Sequence, residues 1–289
     1  MIIVNLKGGL GNQLFQYALG KHLSVKLNTP LALDVSGFAA DPLRNYRLDS
    51  FNINAQLVSP VTNSFQQKLI NRFRSPKNPL NRFFQRKHLM VRENGFPFQE
   101  NILNSPDHSY LDGYWQTEKY FLPIEQIIRQ ELTLAQPLPP HLQELKARIH
   151  NTNSVSLHVR RGDYANNPVT TAYHGLYSAE WYANAAAQIQ QSIPEAHFYV
   201  FSDDYEWVTN NIKLTGPCTF IKPSPDGQEA QDLYVMSQCK HNIIANSSFS
   251  WWAAWLNANP GKKVIAPSKW FVGDHSDTRD LIPESWQQM

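Results

Sequence analysis

Residues 1–35, MIIVNLKGGLGNQLFQYALGKHLSVKLNTPLALDV, carry the pattern that decides the fold. Ile2 to Leu6 is a short apolar run with strand character, and Lys7-Gly8-Gly9-Leu10-Gly11-Asn12 is a glycine-rich turn. From Gln13 to Leu27, residues Leu14, Tyr17, Ala18, Lys21 and Val25 fall near one face, which predicts a helix. Thr29-Pro30 ends it, and Leu31 to Val35 predicts a second strand with Asp34 near its end. Strand, turn, helix and strand at this spacing make a βαβ unit, and hence a parallel sheet.

Outward from that unit, Ser36 to about Pro106 breaks into short pieces punctuated by Pro and Asn, an irregular insertion of the kind that carries specificity. Order returns at Ser109 to Gln116, which predicts a strand, followed by a helix starting near Glu118. Pro137, Pro139 and Pro140 precede a helix over His141 to Ile149, and the polar Asn151-Thr152-Asn153 marks a domain boundary. This predicts lobes 1–150 and 151–289. The second lobe alternates strands at Val155 to Val159, Phe198 to Phe201, Thr219 to Ile221, Asn242 to Ala245 and Lys263 to Ala266 with helices. Those helices begin at Ser178, Tyr205, Glu229 and Phe249, and Ser178 has capping chemistry. The fold class is α/β, two lobes with parallel sheets and a cleft between them.

The chain has 289 residues, of which 42% are hydrophobic, enough to exclude a wholly disordered chain. Only 17% are charged, against about 25% in ordinary soluble proteins. Amides, hydroxyls and 12% aromatics supply the rest, a surface suited to neutral, hydroxyl-rich ligands. The net charge of +2 implies no general polyanion or nucleic-acid surface. One stretch departs from this balance: Lys68 to Lys87 holds Arg72, Arg74, Lys77, Arg82, Arg86 and Lys87 among Phe73, Phe83 and Phe84. It suits a solvated face or arm, with peripheral contact to an anionic membrane or lipid-linked acceptor as the sharper alternative. Two cysteines, Cys218 and Cys239, make no disulfide framework, and neither a leader nor a membrane-spanning stretch is expected. A cytoplasmic protein is expected.

Open parallel sheets bind ligands at the carboxyl ends of their strands. Gly8-Gly9-Leu10-Gly11-Asn12-Gln13 suits an anion at a helix start or a purely structural turn. It departs from the dinucleotide fingerprint, because Leu14 stands where the third small residue belongs. His158-Val159-Arg160-Arg161-Gly162-Asp163-Tyr164 brings two arginines to a strand end, where one suits a diphosphate and the other a salt bridge, Arg161 with Asp163. Ser202-Asp203-Asp204 offers carboxylates, Asp204 suiting a helix cap and Asp203 a ligand. Asn246-Ser247-Ser248-Phe249 opens a hydroxyl-rich helix start that favours an anion, with Ser247 as an ordinary cap the alternative. Trp251, Trp252 and Trp255 suit helix packing. The chain lacks the D-x-D metal signature and any H-E-x-x-H cluster, so no metal and no cofactor are expected. The parts suit group transfer with a diphosphate leaving group.

Together GGLGNQLFQYA, LDGYWQTEKYF, HVRRGDY, YVFSDD, IIANSSFSWWAAWL and VIAPSKWF, colinear from Ile2 to about Phe271, resemble the bacterial α-1,2-fucosyltransferases. That resemblance implies a GT-B-like fold of two Rossmann-like lobes facing a central cleft, with the acceptor mainly on the first lobe and GDP-L-fucose mainly on the second. It implies an inverting, metal-independent transfer of L-fucose to the 2-hydroxyl of a galactose-terminated oligosaccharide. Arg160 resembles the arginine that grips the diphosphate, with His158 beside it and Arg161, Ser202 and Asn246 at the same strand ends. Asp203 or Asp204 would hold guanine, Ser247, Ser248 and Phe249 would present the phosphate-binding helix end, and Gly9, Gly11, Asn12 and Gln13 would close the other wall. Arg160, Asn12 and Asp163 form the catalytic set, Asp163 being the carboxylate nearest the arginines. Asp112, Tyr114 and Trp115 are the acceptor candidates, with core packing the rival for Trp115. Two alternatives stand: a fucosyltransferase of another linkage, and a nucleotide- or carbohydrate-binding protein without transfer activity; an NAD-dependent oxidoreductase, resting on the first βαβ unit and Asp34, fails on Leu14 and leaves HVRRGDY unexplained.

Overall fold

The computed structural model describes residues 1–58, 90–273 and 276–289, apart from the side chains of Asp163 and Asn166. The basic stretch from Lys68 to Lys87 lies outside the described residues. Two compact units make up the chain: Met1–Thr133 with Asp277–Leu281, and Leu134–Ser276 with Ile282–Met289.

The first unit is a five-stranded parallel sheet in the order β3-β2-β1-β5-β4. Its strands are β1 (Ile2–Asn5), β2 (Leu31–Asp34), β3 (Gln56–Val58), β4 (Met90–Arg92) and β5 (Tyr110–Asp112). Helix α1 (Leu10–Lys26) makes the crossover from β1 to β2, with Leu14, Tyr17, Ala18 and Leu23 fully buried. Gly20 lets it lie close: a Cβ there would come within 2.3 Å of Val4 Cγ2 and 2.9 Å of Leu31 Cδ1. The βαβ expectation for residues 1–35 therefore holds, with Ile2 pairing Leu31 and Asn5 pairing Asp34. Two strands, β3 and β4, lie in the stretch read as irregular; at three residues each, neither shows a period in the sequence.

The helix expected near Glu118 starts later. Glu118–Tyr120 and Leu122–Ile124 are 3-10 turns, and α2 occupies Glu125–Glu131. Pro123 has no N–H to donate to an α-helical ladder, which confines the chain to tight turns until that residue is passed. The lobe boundary also moves, from 150 to the Thr133–Leu134 junction, and Asp277–Leu281 rejoins the first unit. Helix α3 (Pro140–His150) belongs to the second unit, where it buries Leu142, Leu145 and Ile149 and where Lys146 Nζ donates to the Tyr234 hydroxyl over 3.0 Å.

The second unit is a six-stranded parallel sheet in the order β11-β10-β9-β6-β7-β8. Its strands are β6 (Asn153–Val159), β7 (Ala196–Ser202), β8 (Cys218–Phe220), β9 (His241–Ile243), β10 (Val264–Ala266) and β11 (Gln287–Gln288). Between them run α4 (Gly162–Asn166), α5 (Pro168–His174), α6 (Ala179–Gln190), α7 (Tyr205–Asn211), α8 (Glu229–Ser237) and α9 (Ser248–Leu256). Ser178 caps α6 as expected, its side chain accepting from the Trp181 N–H. Trp251 and Trp252 are fully buried and Trp255 nearly so, which places the tryptophans in helix packing. The central β6 and β7 carry Val155, Leu157, Val159, Phe198 and Val200 into one core with Tyr182 and Ile189.

The two-unit, parallel α/β architecture is as expected. In the second sheet the chain runs outward from β6 to β8, then returns beside β6 with β9 and continues to β11. The strand order reverses at the β6–β9 pair, and such a reversal parts the two crossovers and opens a crevice at the strand ends. In the first sheet the equivalent point lies at β1 and β5. Cys218 is exposed and Cys239 buried, and they are not bridged. Among the described residues no helix is long and apolar enough to cross a membrane.

Candidate functional site

At the carboxyl end of β6 the chain turns from a buried strand into two consecutive arginines. Each meets one carboxylate from the end of β7: Arg160 Nη1 lies 2.7 Å from Asp203 Oδ2, and Arg161 Nε lies 3.3 Å from Asp204 Oδ2. Asp203 Oδ1 also accepts the Arg161 N–H over 2.8 Å. Asp204 is the cap of α7, accepting from the Trp207 N–H at 3.1 Å, while its own N–H donates to Ser202 Oγ. The Arg161 guanidinium lies 3.9 Å from the Trp207 ring centroid, and that of Arg160 is 5.2 Å from Tyr164. The helix-cap role read for Asp204 is observed. Arg161 is salt-bridged, with Asp204 as partner; the side chain of Asp163, the partner expected, lies outside the described residues.

His158 stands two residues before Arg160, 4% exposed, with its ring centroid 5.6 Å from that of Phe249. Burial pushes its pKa down to about 4 from the ordinary 6.5, the Arg160 charge adding to the fall and Asp203 opposing it. It is a neutral imidazole at physiological pH, and its buried Nδ1 has no hydrogen-bond partner among the described residues. Phe249 belongs to the first turn of α9, whose cap residue Ser247 makes no side-chain cap bond and whose first turn holds no acidic residue. The orphan N–H groups of that turn and the helix dipole favour an anion. Asn246 is buried and structural in its contacts: its Nδ2 donates to the carbonyls of His174 (2.7 Å) and Trp270 (3.2 Å), fixing the approach to α9. Arg160, His158, Ser247, Ser248 and Phe249 thus gather at the β6–β9 reversal, with Ser202, Asp203 and Asp204 beside them.

The expected residues of the first unit form a separate group at the carboxyl ends of β1 and β5. Asp112 Oδ1 accepts from Asn5 Nδ2 (3.0 Å) and Lys7 Nζ (2.9 Å), and Arg92 Nε lies 3.8 Å from Oδ2. Burial would raise the Asp112 pKa, but the bonds from Lys7 and Asn5, with Arg92 nearby, hold it below the usual value. Lys7 Nζ stands 4.9 Å from the Tyr114 ring centroid. Asn12 Oδ1 accepts from Gln116 Nε2 over 2.7 Å. Gly9 caps α1 and Gly11 is buried in its first turn. Gln13 is fully buried and braces the loop, donating to the carbonyls of Gly8 and Asn45 and accepting the Arg47 N–H. Trp115 is also fully buried, edge-on to Tyr120, so its core-packing reading is the one observed.

Glu93 escaped the sequence reading. Its carboxylate accepts the N–H groups of Tyr114 (2.6 Å) and Trp115 (2.7 Å), holding Trp115 at a left-handed φ of 58°. Burial raises its pKa against those two bonds. It stands in a Pro- and Asn-rich segment with no motif, so nothing local marked it. Gly162 was also unmarked beyond its place in HVRRGDY. Asp34 disposes of the dinucleotide alternative, because it is fully buried and accepts from the Tyr110 hydroxyl (2.7 Å) and the Ser36 N–H (2.9 Å). That carboxylate is engaged by its own sheet rather than presented to a ribose.

A parallel α/β unit whose strand order reverses at β6 and β9 defines the class, an open α/β fold with a crevice at its strand ends. Residues 1–286 match glycosyl transferase family 11, and the chain belongs to that family. Relatives include an α-1,2-colitosyltransferase of Escherichia coli, 34% identical over 99% of this chain and 98% of its own. The O-antigen biosynthesis glycosyltransferase WbnK of the same species is 35% identical over 97% and 98%. A galactoside α-(1,2)-fucosyltransferase of Lagothrix lagotricha is 32% identical over 50% of this chain and 42% of its own. The chain is a glycosyltransferase of the α-1,2-fucosyltransferase family.

Proposed function

We propose that the chain transfers L-fucose from GDP-β-L-fucose to the 2-hydroxyl of a terminal β-galactoside, with inversion and without a metal or other cofactor. The observation that carries the reading is the β6–β9 reversal, where Arg160, the neutral His158, whose Nδ1 has no partner among the described residues, and the α9 N-terminus, whose cap residue Ser247 makes no side-chain cap bond, meet. In the reaction the bond from the sugar C1 to the β-phosphate oxygen breaks, and its electron pair leaves with GDP. C1 bonds to the acceptor oxygen on the opposite face, and the hydroxyl proton passes to a base. Charge grows on the leaving diphosphate, where the Arg160 guanidinium and the α9 N–H groups oppose it. Removing one such pre-aimed donor typically costs about 10²–10³ in rate. Ser202, Asn246, Ser247, Ser248 and Phe249 border the donor, and Asp163 is the base to be tested. Asp112 and Tyr114 offer the hydroxyl-binding carboxylate and aromatic face for the acceptor, and Asn12 with Gly9, Gly11 and Gln13 shapes the loop beside them.

The name of the colitosyltransferase relative supports a second donor reading, since a colitosyl group differs from a fucosyl group by one missing hydroxyl. The test is GDP release in excess EDTA with lactose, comparing GDP-fucose, GDP-colitose and GDP-mannose. Lactose-dependent release from GDP-fucose that survives EDTA supports the proposal, and product NMR then assigns the linkage. Release from GDP-colitose alone moves the donor to the second reading. Binding of GDP-fucose without release, with lactose or an O-antigen-type oligosaccharide, would point to a binding protein.

A further inference from the structure

We infer that Asp203 is a positioning residue for Arg160 rather than a reader of the guanine base, and that Gly162 is the small residue that admits it. The inference rests on the donor reading above and changes the part Asp203 plays in it. Both carboxylate oxygens of Asp203 face the β6 loop: Oδ2 meets Arg160 Nη1 at 2.7 Å, and Oδ1 accepts the Arg161 N–H at 2.8 Å. A carboxylate that reads guanine turns both oxygens toward the ring N–H and the 2-amino group, whereas the two bonds to the β6 loop fix the Asp203 carboxylate toward the arginines.

Gly162 gives the second observation. A Cβ at that position would lie 2.4 Å from Asp203 Oδ2 and 3.0 Å from its Cγ. A carboxylate held at both oxygens cannot swing aside without losing one of its bonds. Glycine at 162 is therefore the condition for Asp203 to reach Arg160. The neighbouring Asp204 serves Arg161 and the α7 cap, so the two carboxylates divide the two arginines between them. A long guanidinium side chain fixed before the ligand arrives does not lose its rotamer freedom on binding, which is preorganisation.

Gly162→Ala and Asp203→Asn test this together, with titration of GDP and of inosine diphosphate, which lacks the 2-amino group. Gly162 has ordinary backbone angles at the start of α4, so alanine suits the local chain. The expected result for Gly162→Ala is a kcat at least tenfold lower with Tm unchanged or raised, a split that a merely structural role would not give. For Asp203→Asn the expected result is a comparable loss of kcat, with the preference for GDP over inosine diphosphate equal to that of the wild type. In an Arg160→Ala background Asp203→Asn should cause no further loss of GDP affinity, because a residue acting through another is non-additive with it. A collapse of the GDP preference in Asp203→Asn makes it a base reader and overturns the inference, as does a wild-type kcat in Gly162→Ala. Failure of the wild-type chain itself to bind GDP would instead bring down the donor reading on which this one stands.

Discussion

The His158 imidazole and the Phe249 ring stand with centroids 5.6 Å apart, and through that contact the end of β6 meets the first turn of α9. The histidine is held neutral by burial at the strand end where the arginines begin. A neutral imidazole adds no charge of its own beside Arg160, so the local field comes from the guanidinium, its carboxylate partner and the helix dipole.

This burial has a signature in acid. The His158 pKa is about 4 in the folded chain against 6.5 ordinarily, so between those values the unfolded chain binds more protons. Stability should then be full above about pH 6.5 and fall as pH drops toward 4, by roughly 3 kcal/mol for a shift of this size. Urea midpoints across that window should slope for the wild type and flatten for His158→Gln. Equal slopes would show that burial, with Arg160 and Asp203 facing the ring, does not set the acid response of His158.

Arg160→Ala should reduce transfer by about 10²-fold or more while far-UV circular dichroism stays unchanged, because it removes the cation opposing charge on the leaving group. Activity within a few-fold of wild type would remove Arg160 from the catalytic set.

Asp163→Asn examines proton removal. If Asp163 takes the acceptor proton, transfer should fall by about 10²–10⁴ while GDP affinity is kept. A loss of only a few-fold would assign that role elsewhere.

In the first unit, Asp34→Ala should destabilise the fold by about 2–4 kcal/mol, since it strands the buried Tyr110 hydroxyl and the Ser36 N–H. Asp34→Asn should cost less because it keeps one acceptor oxygen. Chemical denaturation measures both, and neither variant should change NADH binding, which is expected to be absent in the wild type.

Gly20→Ala sets two effects against each other. Helix propensity favours alanine by about 1 kcal/mol. The new Cβ, however, would sit 2.3 Å from Val4 Cγ2 and 2.9 Å from Leu31 Cδ1, and overpacking of that kind costs about 1–3 kcal/mol. A lowered denaturation midpoint is the expected outcome, and a raised one would mean that α1 moves freely over β1.

The strand–helix alternation was legible because its cause is local. Apolar period, glycine turns and capping residues such as Ser178 and Asp204 act within a few positions of one another, so reading them requires no knowledge of the fold. The family resemblance was legible for the same reason, its motifs being contiguous stretches at strand ends. What the sequence did not disclose depends on groups far apart in the chain. Glu93 meets Tyr114 and Trp115 across 21 and 22 positions, and Asp203 meets the Arg161 N–H across 42. Asp34 stands at the sequence position of a ribose ligand, but the Tyr110 hydroxyl, 76 positions away, engages it. Trp115, in the middle of an acceptor-like motif, is core because the Tyr120 edge and the Glu93 carboxylate close around it. Local chemistry in the sequence determined which elements form and which residue types reach the strand ends. Only the tertiary structure decided which of those polar groups are engaged by one another, because hydrogen bonds and burial are settled by proximity in space.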